Sequence, residues 1–309
     1  MLFAMAKQKV ILEKILKRLS STSVAQELVD NLTMGQLTTL LLHVFFEKSK
    51  KQKVHEIAKG FAENRFAKAS AVSPIKLRKL ETEIFELAQK RDIPAVELSP
   101  VAPLGSASVF GHINQNNVLS ALRGCEVVSD PSNALALLLI HQWLGNKKEK
   151  VLRLCASHQA LRAQKFDRPG CTPHFRLFSS CSLIKSKEPN EIVQEALIHL
   201  HLVKDVANMC QVETTRSTLY PRKRSGHLAK LLADELEKLA LPFQVRSAEE
   251  DESSYYYGFR FTTDFQNRDG WFNVGDCGLV DWAAQIASQK DLVLVTNGLG
   301  VDRLLAAMP

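Results

Sequence analysis

Leu292-Val293-Leu294-Val295-Thr296-Asn297-Gly298-Leu299-Gly300-Val301-Asp302-Arg303-Leu304-Leu305 joins an apolar run, two glycines and an Asp-Arg pair flanked by aliphatic residues. The run has the length and β-branched content of a buried strand. Glycines let a backbone turn tightly and approach a ligand closely. The spacing predicts a strand at 292–296, a tight turn through Gly298 and Gly300, and a short helix carrying Arg303. The first turn of such a helix offers free N–H groups and a positive dipole end, a setting suited to the distal phosphate of a nucleotide.

Working back from this end, hydrophobic periodicity predicts strands at 256–265 and 271–274 and helices at 227–239 and 191–209. Further strands are expected at 175–184 and 151–157. Ser132 is expected to cap a helix at 132–144, and Ser73 with Pro74 should open another, with Leu77, Leu80, Ile84 and Leu87 on one face. A strand-like segment, Ala95-Val96-Glu97-Leu98-Ser99-Pro100-Val101, follows that helix. Strands that arrive as hairpins, with helices segregated between them, predict an α+β fold with a mainly antiparallel sheet flanked by helices.

Residues 1–70 read differently. They are helical in pattern, with expected capping boxes at Ser23/Gln26 and Thr33/Gln36 and an interruption at Ser20-Ser21-Thr22-Ser23. The chain of 309 residues carries a formal net charge of +7. Residues 1–70 hold +6 of this and the remainder +1. That asymmetry suits a small all-α N-terminal domain facing nucleic acid, and equally a solvated lysine-rich face. The expected division is 1–70, a basic helical domain, and 71–309, the domain carrying the chemistry. Hydrophobic residues make up 45% and charged residues 24%, enough for a sizeable core. No apolar run reaches the ~18 residues of a membrane helix, and no signal-peptide pattern opens the chain. Six scattered cysteines, without a metal-ligand spacing, favour reduced thiols and a cytoplasmic setting.

Strand–Gly-x-Gly-x-Asp-Arg–helix resembles motif 3 of the class II aminoacyl-tRNA synthetases, and the family's other motifs have counterparts in order. The helix at 77–91 followed by Val96-Glu97-Leu98-Ser99-Pro100 resembles motif 1, with Pro100 as the matching proline. Arg162-Ala163-Gln164, followed by Pro173-His174-Phe175-Arg176-Leu177-Phe178, resembles the motif 2 hairpin. Val128-Ser129-Asp130-Pro131-Ser132-Asn133 is similar to the segment beside the amino-acid pocket. Ser254-Tyr255-Tyr256-Tyr257-Gly258-Phe259-Arg260-Phe261 resembles the tyrosine-rich strand of histidyl-tRNA synthetases. The resemblance covers about residues 74–309.

It implies ATP-dependent activation of an amino acid or similar small carboxylate, with transfer to tRNA, by a homodimer using ATP and Mg2+. Arg162 would bind the α-phosphate and Arg303 the γ-phosphate. Phe178 would stack on adenine, Gln164 would meet its amino group, and Gly298 and Gly300 would admit the nucleotide. Asn133, Tyr256 and Tyr257 would line the amino-acid pocket. Asp276, and less directly Asp264, would hold the metal. No membrane partner is implied.

The chain departs from the pattern in three places. Arg-Ala-Gln replaces Arg-x-Glu in motif 2, which removes a carboxylate. Glu250-Asp251-Glu252-Ser253-Ser254 stands where histidyl enzymes have Arg-Gly-Leu-Asp, so histidine is not supported as substrate. The chain ends soon after Arg303, which leads us to expect no C-terminal anticodon-binding domain, as in phosphoseryl- and pyrrolysyl-type enzymes. These departures keep open a non-catalytic paralogue that binds an amino acid or nucleotide and regulates a partner, as the regulatory subunit of ATP phosphoribosyltransferase does. A tRNA-independent ligase on the same fold also remains open. Arg216…Tyr220-Pro221-Arg222-Lys223-Arg224 is a basic cluster fit for phosphate contacts, or a solvated loop.

Overall fold

The computed structural model describes residues 10–19, 22–164, 172–212, 214–239, 241–247, 255–267 and 270–308. Ser20 and Ser21 of the expected interruption, and the segment 250–254, lie outside these residues. Two compact units are present: Met1–Glu63 with Ala121–Cys125, and Asn64–Ser120 with Glu126–Pro309.

The smaller unit contains α1 (Val24–Asn31), α2 (Met34–Lys50) and α3 (Val54–Glu63). The Thr33 hydroxyl accepts from the Gln36 N–H at 3.3 Å, and the Gln36 side chain accepts from the Thr33 N–H at 2.9 Å, closing the predicted box. No such box forms at Ser23. Its backbone is already helical and its hydroxyl donates to Glu27 instead.

In the larger unit α4 (Pro74–Gln89) starts at Ser73 and Pro74 as the sequence predicts. Three short strands follow along the chain, β1 (Val101–Pro103), β2 (Ser120–Ala121) and β3 (Cys125–Val127), of which Ala121 and Cys125 count with the smaller unit. The strand expected at 95–101 shrinks to a bridge between Ala95 and Cys155. Pro94 and Pro100 bound it and have no N–H to give a ladder. α5 (Pro131–Gly145) is capped by Asp130 rather than Ser132, since the Asp130 carboxylate accepts from the Ser132 N–H at 3.0 Å.

Then come β4 (Val151–Leu161), β5 (His174–Lys185), α6 (Pro189–Met209), β6 (Thr215–Pro221), α7 (His227–Lys238), β7 (Gln244–Val245), β8 (Tyr256–Asn267), β9 (Gly270–Val280), α8 (Trp282–Ala287), β10 (Leu292–Gly300) and α9 (Val301–Ala307). β6 falls where a basic cluster had suggested a loop. Seven strands form one sheet in the order β4-β5-β10-β9-β8-β6-β7, antiparallel except for the β6–β7 pair. This is the mainly antiparallel α+β architecture expected. Among the described residues no helix is long and apolar enough to cross a membrane.

β10 lies between β5 and β9, and its register decides what each face carries. Val293, Val295 and Leu299 oppose Ile184, Ser182 and Phe178 on β5, and these residues face α4, α6 and α7. Leu294, Thr296, Gly298 and Gly300 oppose Leu183, Cys181, Ser179 and Leu177 on the other face. α5 and α8 cover only part of that second face, packing on Leu183, Leu294 and Val280. The uncovered remainder is the floor of the cavity described below.

A polar network is buried on the helical side. Arg153 on β4 donates to both carboxylate oxygens of Glu195 on α6, at 2.5 and 2.8 Å. Burial pushes the Glu195 carboxyl up, but hydrogen bonds from Arg153 and Ser182 outweigh it and hold the group below its usual range. His199, wholly buried, sits 2.8 Å from the Ser180 hydroxyl and 2.7 Å from that of Ser182. The Asn297 side-chain amide donates to Ser180 at 3.2 Å. An ionised Glu195 accepts only, so Ser182 donates to it and His199 Nε2–H donates to Ser182. Ser180 then donates to the bare Nδ1.

Burial pushes His199 down to about 4 from 6.5. The unfolded chain therefore binds a proton that the native chain refuses over this interval. Stability should be full above pH 6.5 and fall as the pH drops towards 4, by about 3 kcal/mol for this one group. Urea midpoints taken from pH 7.5 to 4 check this, and a His199→Gln chain should show a flatter profile.

Candidate functional site

A cavity of about 370 Å³ opens on the uncovered sheet face. Its floor is built from β5, β9 and β10, and its walls include residues 70–72, Asp130, Arg162, Tyr255, Tyr256 and the start of α9. Strand alternation supplies the floor residues Phe175, Leu177, Ser179, Asp276, Thr296, Gly298 and Gly300.

Arg162 lies where β4 ends. Its Nε donates to the Ser129 carbonyl at 3.0 Å, its Nη2 lies 3.4 Å from Asp130, and its guanidinium sits 5.1 Å from the Phe175 ring centre. The same Asp130 that caps α5 thus holds a cation at the cavity edge. Arg303 leaves α9 into solvent and donates to the Asn273 carbonyl at 2.7 Å. Its neighbour Asp302 accepts from the Arg176 backbone N–H, and burial pushes that carboxyl up. Gly298 and Gly300 line the cavity, but not as a turn. β10 runs straight through them, and α9 begins at Val301.

Tyr256 also lines the cavity, its ring stacked on Tyr255 at 4.3 Å, with the Tyr255 hydroxyl donating to that of Tyr256 at 3.3 Å. Burial pushes both phenols up, Tyr255 to about 12. Asp276 lines the floor and is paired with Arg260 at 2.6 Å. Among the described residues no group of three or more His, Cys, Asp or Glu is placed to hold a metal. With Oδ2 committed to a guanidinium, Asp276 keeps one oxygen, so it could give Mg2+ a single ligand, the others coming from phosphate oxygens and water. Asp264 likewise is taken by Arg216, at 2.7 and 3.0 Å, on the strand β6.

Four predicted residues lie elsewhere. Phe178 is fully buried on the opposite sheet face, 5.9 Å from the Phe85 ring, in the core beneath α4. Of the two phenylalanines on β5, the one that lines the cavity is Phe175. Replacing Phe178 by leucine should therefore cost about 1–1.5 kcal/mol of stability and leave nucleotide affinity within twofold, as thermal melts and calorimetry would read. Gln164 meets Arg65 through its carbonyl, at 3.2 Å, and is not a cavity residue. Asn133 is buried and donates to the Ser106 carbonyl at 3.3 Å, so it braces a loop. Tyr257 packs on the helical face under the Arg224 guanidinium, 5.0 Å from its ring centre.

Sequence reading missed Phe175, Ser179, Arg260 and Thr296. The alternation of β5 and β10 was visible, but which parity faced the ligand was not. Among the described residues no cysteine lines the cavity. Those described are free, and burial pushes the buried thiols up, Cys155 to about 12, which keeps them unreactive.

No protein-family model matches the sequence, and a comparison with curated proteins finds no match. Solved structures do match. Apo histidyl-tRNA synthetase from S. aureus superposes with a TM-score of 0.61 at 13% identity, over 77% of this chain and 68% of that one. An ATP phosphoribosyltransferase regulatory subunit/histidyl-tRNA synthetase from Bacillus halodurans C gives 0.63 at 11% identity, over 80% and 83%. A histidine–tRNA ligase subunit from Alicyclobacillus acidocaldarius gives 0.61 at 10% identity, over 77% and 95%. At these identities the likeness is one of backbone: the chain has the fold of a class II aminoacyl-tRNA synthetase core.

Proposed function

We propose that the cavity binds an amino acid or similar small carboxylate together with ATP, and joins them as an acyl-adenylate. The observation that supports this reading best is convergence: Arg162 and, more than a hundred residues later in the chain, Gly298, Gly300 and Arg303 border one cavity. In the reaction the ligand's carboxylate oxygen attacks the α-phosphorus and pyrophosphate leaves. Negative charge grows on the phosphoryl oxygens, and fixed cations at those oxygens lower the barrier. Arg162, released from its loose 3.4 Å contact with Asp130, is the cation for the α-phosphate. Arg303 is the cation for the distal phosphate. Guanidinium forks suit both tasks. Transfer to tRNA, gripped by the basic residues 1–70, completes the proposal, with α4 as the family's dimer element.

A second reading, a non-catalytic paralogue, is favoured by Phe178 and Gln164. Neither lines the cavity. ATP–pyrophosphate exchange across the twenty amino acids, with an Arg303→Ala control, separates the two. Exchange with one amino acid, lost in the control, supports activation. Calorimetric binding of an amino acid without exchange sinks activation and leaves the regulatory reading.

A further inference from the structure

Ser179 on β5, Gly298 on β10 and Asp276 on β9 are direct cross-strand neighbours, so they form a row on one face of the sheet. All three line the cavity. The centre of the row carries no side chain, while the outer members stand two strand spacings apart, about 9.5 Å. The result is a notch with an oxygen on either flank.

Those oxygens are unsatisfied. Ser179 is fully buried, and its hydroxyl has no hydrogen-bond partner among the described residues. Asp276 gives Oδ2 to Arg260 at 2.6 Å, yet its buried Oδ1 has no hydrogen-bond partner among the described residues. Buried polar atoms are almost always paired, because leaving one unmade costs about 1–3 kcal/mol. Two orphans facing one notch mark a place shaped for a ligand group.

The chemistry of the pair selects the group. A carboxylate only accepts, so whatever meets Oδ1 must donate, and a serine hydroxyl beside it completes a seat for several N–H bonds. A carboxylate or phosphate of a ligand would be repelled there. We propose that the notch over Gly298 seats a protonated amine of the ligand, between Asp276 Oδ1 and Ser179 Oγ. This rests on the reading that the cavity takes an amino acid or similar carboxylate. It assigns Asp276 to the ligand's cation instead of a metal, and it orients the ligand with its amine on the floor.

Gly298 supplies a test that spares the fold. Its φ is not positive, and a Cβ built there meets only Ser179 Oγ, at 3.8 Å, an ordinary contact. Gly298→Ala should fold normally while filling the notch. The probes are the twenty amino acids, each beside its des-amino acid and its amino alcohol, titrated calorimetrically into the full chain. The expected result is that a binding amino acid loses about tenfold to hundredfold in affinity when its amine is removed and keeps most of it as the amino alcohol. Gly298→Ala and Ser179→Ala should weaken the amine-bearing probes and leave des-amino acids unchanged. Asp276→Asn should do the same, and Gly298→Ala covers the case in which loss of the Arg260 pair unfolds that variant.

Des-amino acids that bind as tightly as their parents would overturn the assignment. So would an unaltered affinity in Gly298→Ala, or no binding by any amine-bearing probe. Amine-dependent binding without pyrophosphate exchange keeps the notch and sinks activation. Exchange that is indifferent to the amine keeps activation and sinks the notch.

Discussion

Arg162→Ala should lower ATP–pyrophosphate exchange by about 10²–10³-fold while the chain keeps its melting temperature to within a few degrees. The reasoning starts from where the guanidinium stands. Its anchors in the free chain are a carbonyl at 3.0 Å, a carboxylate at the long distance of 3.4 Å and the face of Phe175. None of these is a buried ion pair, so truncation leaves no stranded charge in the core. The loss should fall on the chemical step, since charge builds on the phosphoryl oxygens only as pyrophosphate departs. Turnover should therefore drop much more than the apparent affinity for ATP. Arg162→Lys should recover a small part, because an ammonium matches one oxygen at a time. A fall in ATP affinity with turnover unchanged would make Arg162 a simple binding cation. Exchange unaffected by either variant would remove it from the reaction.

Glu195→Ala should destabilise the larger unit by about 3–5 kcal/mol, and lower its melting temperature by roughly 10 °C. Here the removed group is the anionic end of a buried chain. Arg153 would keep its charge with 23% of its side chain exposed and lose both hydrogen bonds. Ser182 would lose the acceptor that fixes its hydroxyl, and the direction of every bond through His199 and Ser180 to Asn297 would be released. Glu195→Gln should cost less, since it keeps the shape and one acceptor. Replacing the pair by Arg153→Met with Glu195→Leu should recover much of the loss, because it removes the charge and its partner together. A Glu195→Ala cost below 1 kcal/mol, read from urea unfolding at pH 7.5, would mean water reaches Arg153 and the network adds little.

The order of elements was legible because strong local signals sit at their ends. Ser73-Pro74 opens α4, and Leu292 to Thr296 reads as strand without help from the rest of the chain. β6 was hidden because Arg216 and the basic run after Tyr220 look like a solvated surface. Only the partner strand, bringing Asp264 to Arg216, turns that charge into a paired strand residue. Of the candidate site residues, the two arginines, Gly298, Gly300, Tyr256 and Asp276 line the cavity. Sequence reading failed where facing mattered. Phe175 and Phe178 both fit an aromatic in the second strand of the hairpin, but three positions apart they lie on opposite sides of a sheet. Pairing of Phe178 with Leu299 decides between them, and that pairing joins segments more than a hundred residues apart. Asp276 lines the cavity, but its pairing with Arg260 was not legible, because Arg260 sits on a different strand.

The alternation along β5, β9 and β10 also separates two histories. One set of positions answers to the helices and is answerable for folding; the other, beyond the part that α5 and α8 cover, borders the cavity. Substitutions in the second set can change the ligand without passing through unfolded intermediates. A sequence only 13% identical to a histidyl-tRNA synthetase can thus carry the same backbone. An inserted or deleted residue within β10 is another matter: it would exchange the two sets at a stroke. Length should therefore be the most slowly changing property of this strand, slower than any of its letters.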